Sequence, residues 1–150
     1  MKSYLIAVFM GAFAAVAYAQ SNPTGASLLE TRIASETDLS EFKWIKRPVI
    51  VFADSAHDPA FVEQMEFLRA EAEQLAVRDV VVIVDTDPDA RSAIRLRMRP
   101  RGFMLTLMGK DGNVKLRKPF PWDVREITRS IDKMSIRQRE IRDNKQETGG

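Results

Sequence analysis

The chain has 150 residues, with 23 Lys and Arg against 21 Asp and Glu, a single His and no Cys. Thiol redox catalysis, disulfide staples and thiolate metal sites are therefore excluded. A formal net charge of +2 argues against general affinity for nucleic acid. The distribution of that charge is uneven. Asp54 to Asp89 holds ten acidic and two basic residues, whereas Arg91 to Lys118 holds nine basic and one acidic.

Residues 1–19 read as a secretory signal. Lys2 is their only charge, an apolar run covers Tyr4 to Val16, and Ala17-Tyr18-Ala19 supplies a small-x-small cleavage site. The run is shorter than the roughly 20 residues a membrane-spanning helix needs. Cleavage after Ala19 would start the mature chain at Gln20 and send it to the periplasm or beyond the cell. The remaining 131 residues suit one domain.

Residues 20–37 mix small and polar types and are expected to form a flexible lead-in. The domain is expected over 38–143, with Leu39, Phe42 and Trp44 packing a short helix or turn onto its edge. Val49 to Ala53 and Val80 to Val84 are apolar runs without polar alternation, the pattern of strands buried on both faces of a parallel sheet. A helix opens between them at Asp58-Pro59 and carries Phe61, Met65, Leu68, Ala72 and Leu75 on one stripe. Asp87-Pro88 predicts a second helix start, turning Ala90, Ile94 and Met98 inward and ending at Pro100 and Gly102.

Phe103 to Met108 then reads as a strand, Gly109-Lys110-Asp111-Gly112 as a hairpin turn, and Val114 to Lys118 as the returning strand. Asp123-Val124-Arg125-Glu126 has capping-box spacing and opens a last helix with Val124, Ile127, Ile131, Met134 and Ile141 inward. Residues 144–150 are polar and are expected to form a disordered tail. The order of elements is that of a thioredoxin-like three-layer α/β fold, with a mixed sheet, flanking helices and a C-terminal hairpin plus helix.

Particular stretches carry a family resemblance. They are Phe103 to Arg117, Pro121-Trp122, Glu126-Ile127-Thr128, Ile131-Asp132 and Met134-Ser135-Ile136-Arg137, preceded by Val49 to Ala53 and Asp79 to Val82. Together they closely resemble the P-DUDES group of thioredoxin-like domains over roughly residues 39 to 142. The resemblance implies a thioredoxin-like domain outside the cytoplasm, of the kind found in secreted bacterial proteins and extracellular sushi-repeat proteins. It implies no substrate. In redox-active relatives of the wider fold a nucleophilic cysteine would sit in the loop occupied here by Asp54-Ser55-Ala56-His57-Asp58.

Two sets of residues are candidates for function. Asp54, His57 and Asp58 lie at a strand end where open α/β sheets place ligands, and a carboxylate-oriented His57 would serve as general base. The alternative is that Asp58 caps the helix while Asp54 and His57 sit in a solvated loop. Arg91, Arg95, Arg97, Arg99 and Arg101 form the densest basic run, open to a partner surface or to pairing with the acidic helix and loops. Phe67, among Glu63, Glu66, Glu71 and Gln74, reads as a partner anchor, as an aromatic packed under a neighbouring segment, or as simply exposed.

Asp85, Asp87 and Asp89 imitate a calcium loop, but Ala90 and Leu96 stand where such a loop needs Gly and an acidic residue. Trp122 is expected to staple the last helix, and the geometry of the bond before Pro100 is left open. No cofactor is expected. These readings favour a non-redox binding or accessory module with an exported protein partner or as a homodimer. A cysteine-free enzyme at the His57 loop is the alternative.

Overall fold

Arg47–Phe52 and Val80–Asp85 form parallel neighbouring strands, β2 and β3, at the centre of a five-stranded sheet. The computed structural model describes residues 29–149, so the expected signal and residues 20–28 lie outside the described residues. Side chains alternate across a strand, so an unbroken apolar run supplies both faces. Val49, Val51, Val80 and Val82 enter one core cluster, and Ile50, Phe52, Val81 and Ile83 enter the other.

The sheet order is β1-β3-β2-β4-β5, with β1 Thr31–Ile33, β4 Met104–Met108 and β5 Val114–Lys118. β1 runs parallel to β3, whereas β4 is antiparallel to β2 and β5 antiparallel to β4. The first core lies under α1 (Pro59–Ala70), α2 (Ala72–Ala76) and α4 (Val124–Asp132), through Met65, Leu68, Leu75, Val124, Ile127 and Ile131. The second is closed by α3 (Ala93–Met98), through Ile94 and Met98, and by Ala34 and Phe42. This is the expected three-layer arrangement.

Several boundaries differ from the sequence reading. Thr31–Ile33, inside the expected lead-in, is an edge strand: it gains a partner by pairing with β3, and Leu29 and Ala34 on either side are buried. The expected helix at Asp87-Pro88 is only a 3-10 turn, because Arg91 turns left-handed (φ 46°) and Ser92 caps a separate helix, α3, leaving Ala90 exposed. The last helix is likewise two, α4 and α5 (Ser135–Thr148), interrupted at Lys133 and Met134. Helix therefore continues through 144–148, where the tail was expected to begin. Trp44 does not pack onto the domain edge. It is 63% exposed at φ 67°, with its N–H donating to the Lys110 carbonyl. Every peptide bond among the described residues is trans, that before Pro100 included.

Trp122 meets the expectation of a staple by a route the sequence did not show. The fully buried Gln64 of α1 accepts a hydrogen bond from the Trp122 N–H at 2.7 Å, and its amide donates to the Trp122 carbonyl at 3.0 Å. One side chain thus satisfies both backbone groups of a segment that has no strand partner of its own. Asp123 caps α4 through the Arg125 N–H, while Glu126 pairs with Arg129 instead of completing the capping box.

Gln64→Leu removes both bonds while keeping most of the volume. It is expected to lower the free energy of unfolding by about 2–3 kcal/mol, measured as a fall in urea midpoint. The exposed control Glu63→Ala is expected to stay within about 0.5 kcal/mol.

Candidate functional site

The loop after β2 does not assemble acid–base machinery. Asp54 and His57 are exposed, and the His57 backbone N–H donates to the Ser55 hydroxyl at 3.0 Å. The Asp58 carboxylate accepts from the Ala60 N–H at 2.8 Å and is thereby used as the α1 cap. No hydrogen bond or ion pair among the described residues joins His57 to Asp54 or Asp58, so nothing orients the imidazole.

The arginine run is divided by the fold. Arg95 points inward: its Nε donates to Asp85 Oδ1 at 2.9 Å, and its Nη2 donates to the Ala53 and Asp85 carbonyls at 2.9 and 3.1 Å. Its guanidinium lies 5.7 Å from the Phe52 ring centroid, and Ser92 donates to the second Asp85 oxygen at 2.6 Å. Arg95 is thus a clamp that ties α3 to the ends of β2 and β3. Of the acidic helix and loops weighed as partners for the run, the α1 glutamates make no ion pair with it among the described residues, and Asp85 pairs with Arg95. Asp87 caps the turn that follows, and no cluster of three or more His, Asp or Glu suited to a metal occurs among the described residues.

Arg91, Arg97, Arg99 and Arg101 are exposed. Arg99 and Arg101 border a shallow cavity of about 260 Å³ with Arg117, Lys118, Phe103, Met104 and Pro119. Arg117 and Lys118, on β5, are distant in sequence and join the patch only through the sheet. Arg117 also donates to the Met98 carbonyl at 2.9 Å, closing the C-terminal end of α3. Phe67 falls elsewhere. It is half-buried against the first core and lines a cavity of about 430 Å³ between α1 and α4, with Val124 and Thr128. It packs against the first core and does not join the arginines.

A second polar cluster, missed in the sequence, lies at the opposite end of β2. Arg47 is fully buried, and its guanidinium donates to the Arg78 carbonyl at 2.9 Å and to Glu140 at 3.0 Å. Lys110, in the β4–β5 turn, bridges Asp79 at 2.7 Å and Glu140 at 2.8 Å. Arg137 reaches Glu140 from α5, and Arg78 makes a bidentate pair with Asp132. Three chain segments, β2, the hairpin turn and α5 itself, meet at Glu140. The signal in the sequence was one Arg starting an apolar run, which periodicity alone does not separate from a surface residue.

Burial disfavours the Glu140 carboxylate, but hydrogen bonds from Lys110, Arg47 and Arg137 overcome it and hold its pKa at about 2. The Arg78 pair likewise holds Asp132 below the ordinary aspartate value.

The sheet order and the flanking helices define a thioredoxin-like fold. Desulfothioredoxin from Desulfovibrio vulgaris Hildenborough, in its reduced form, superposes with a TM-score of 0.51 at 15% identity, covering 70% of this chain and 97% of that one. The mitochondrial 2-cys peroxiredoxin of Plasmodium falciparum gives a TM-score of 0.48 at 18% identity, covering 64% and 79%. Residues 38–140 match the family described as Domain of unknown function (DUF4174), and the chain belongs to that family. It is 29% identical over 136 residues to coiled-coil domain-containing protein 80 of Danio rerio, covering 71% of this chain and 16% of that protein's length. With no cysteine in the sequence, the chain lacks the thiol chemistry of thioredoxins.

Arg95→Met would leave Asp85 buried without its cation. It is expected to cost about 3–5 kcal/mol of stability, whereas the exposed Arg97→Met stays within about 0.5 kcal/mol in the same denaturant titration. For pH, the sign follows from depressed folded-state values. Glu140 contributes stability that is fully present above its ordinary pKa of 4.5 and is lost as pH falls toward about 2, and Asp132 contributes stability that is fully present above 3.8 and is lost as pH falls below it. Urea midpoints are expected to decline across that window, and Glu140→Gln is expected to flatten the decline.

Proposed function

We propose that this chain is an exported, non-redox thioredoxin-like module that binds an acidic segment of a protein partner. One observation carries the reading. Arg99, Arg101, Arg117 and Lys118 border one shallow depression whose other lining residues, Phe103, Met104 and Pro119, are apolar, and no carboxylate lines it. Arg99 and Arg101 have no ion pair among the described residues, so their charge is available to a partner. Fixed cations around an apolar floor suit an extended acidic segment with apolar side chains, and exposed charges of this kind raise the rate of encounter more than the affinity.

Export is supported by the signal-like residues 1–19 and by the P-DUDES resemblance, both read from the sequence. The absence of cysteine turns the reading from thiol exchange to binding. Arg91 and Arg97 are exposed as well, while Arg95 serves the fold.

Crosslinking in intact host cells, followed by mass spectrometry, identifies the bound protein. Binding of that protein is then measured in vitro against salt. The double variant Arg99→Glu/Arg101→Glu, at exposed positions, is expected to keep the fold and weaken binding by roughly tenfold or more, with a steep salt dependence in the parent protein. Binding indifferent to both salt and charge reversal would overturn the reading.

A further inference from the structure

The two edges of the sheet are unlike. β1 is three residues long, and beside it Glu30 and Arg32 neutralise each other at 2.7 Å. β5 forms the other edge with five residues, Val114–Lys118, and has β4 as its one strand partner. In an antiparallel pair every second residue turns its N–H and C=O away from the neighbouring strand. Among the described residues, no backbone group of 114–118 makes a hydrogen bond outside the β4 ladder. The outward groups of β5 are therefore open to another strand.

The side chains of β5 decide which strand can pair. Three of the five residues, Lys115, Arg117 and Lys118, are cations. Lys115 is held by Asp111 at 2.7 Å. Arg117 and Lys118 make no ion pair among the described residues: Arg117 donates to the Met98 carbonyl, and the Lys118 ammonium lies 4.7 Å from the Trp122 ring centroid. Register places Arg117 opposite Thr106, and Leu116 and Lys118 opposite Leu107 and Leu105 of the first core. The two unpaired cations thus stand on opposite faces of the sheet, with Leu116 on the Lys118 face.

A second copy offering the same edge would bring these cations together, and charged side chains on an edge are a common guard against such pairing. An acidic strand meets the opposite situation. Carboxylates opposite Arg117 and Lys118 form cross-strand pairs, and an apolar side chain beside Leu116 extends the first core. Arg117 and Lys118 also line the arginine depression with Arg99 and Arg101, so the edge and the depression are one continuous surface.

We propose that an acidic segment of the partner binds as an added strand on the free edge of β5, its backbone paired to that strand and its carboxylates set against Arg117 and Lys118. The proposal rests on the acidic-partner reading above and supplies its mode of binding. Main-chain hydrogen bonds hold the segment, and the cations select it over neutral strands and over a second copy of this chain. The segment is extended and carries apolar as well as acidic side chains. A helix with the same charges does not fit, because its backbone groups are already paired.

The test uses the purified protein and a capped peptide of alternating valine and glutamate, followed by ¹H–¹⁵N spectra and amide exchange. Saturable binding is expected, with slowed exchange at those amides of 114–118 that β4 leaves unpaired. The same peptide N-methylated throughout its backbone keeps every charge but loses its backbone donors, and it is expected to bind about tenfold more weakly or worse. A neutral peptide of alternating valine and threonine is expected to lose a similar factor, as is the glutamate peptide with Lys118→Glu. If that variant fails to fold, the comparison of the three peptides on the parent protein decides. Equal affinity for the N-methylated peptide, with unchanged exchange along β5, would overturn strand addition while leaving the acidic-segment reading intact. Binding of neither glutamate peptide would also overturn it, and the charge reversal at Arg99 and Arg101 then decides the underlying reading separately. Slow exchange at the outward β5 amides of the free protein that disappears on dilution would assign the edge to a second copy and overturn the proposal.

Discussion

Strands β2 and β3 are buried on both faces, so the polar groups at their two ends must be satisfied inside the protein. At one end Asp85 is answered by Arg95 and Ser92, and at the other Arg47 is answered by Glu140 and the Arg78 carbonyl. A buried charge without its counter-charge costs several kcal/mol, and these two pairs therefore fix where the strands stop and which helices lie against them. The first holds α3 to the sheet, and the second holds α5 and the hairpin turn.

The same requirement divides the charged residues into those that hold the fold and those left for other work. Arg95 belongs to the arginine run by sequence but to the sheet by contact, since its guanidinium bonds the carbonyl that immediately precedes the Asp54 loop. That loop is anchored from below and carries no thiol. The arginines on either side remain at the surface. Arg99 and Arg101 are joined there by Arg117 and Lys118 because β5 lies beside β4, giving a cationic depression at one end of the sheet.

Much of the fold was legible because its signals are local. The runs at Val49 and Val80, the Asp58-Pro59 start and the Gly109 to Gly112 turn each encode their own geometry through β-branching, capping and the left-handed Gly112 at φ 79°. Thr31–Ile33 was not legible, because three residues carry no periodicity and become a strand only when β3 offers its edge. Neither was the division at Arg91, where a bulky residue takes a left-handed conformation that turn chemistry alone does not announce. The site was less legible than the fold. Asp58 as a cap followed from its neighbours, but the inward turn of Arg95 and the convergence of Arg47, Lys110 and Glu140 depend on residues many positions apart.

By itself the sequence determined the succession of the strands from Arg47 onward, the two-sided burial of the central pair and the absence of thiol chemistry, because each follows from residue type and short-range spacing. Only the tertiary structure decided which charges are buried as clamps and which stand at the surface. A side chain's partner across the sheet or at a helix end is set by packing between distant segments, which spacing along the chain does not record.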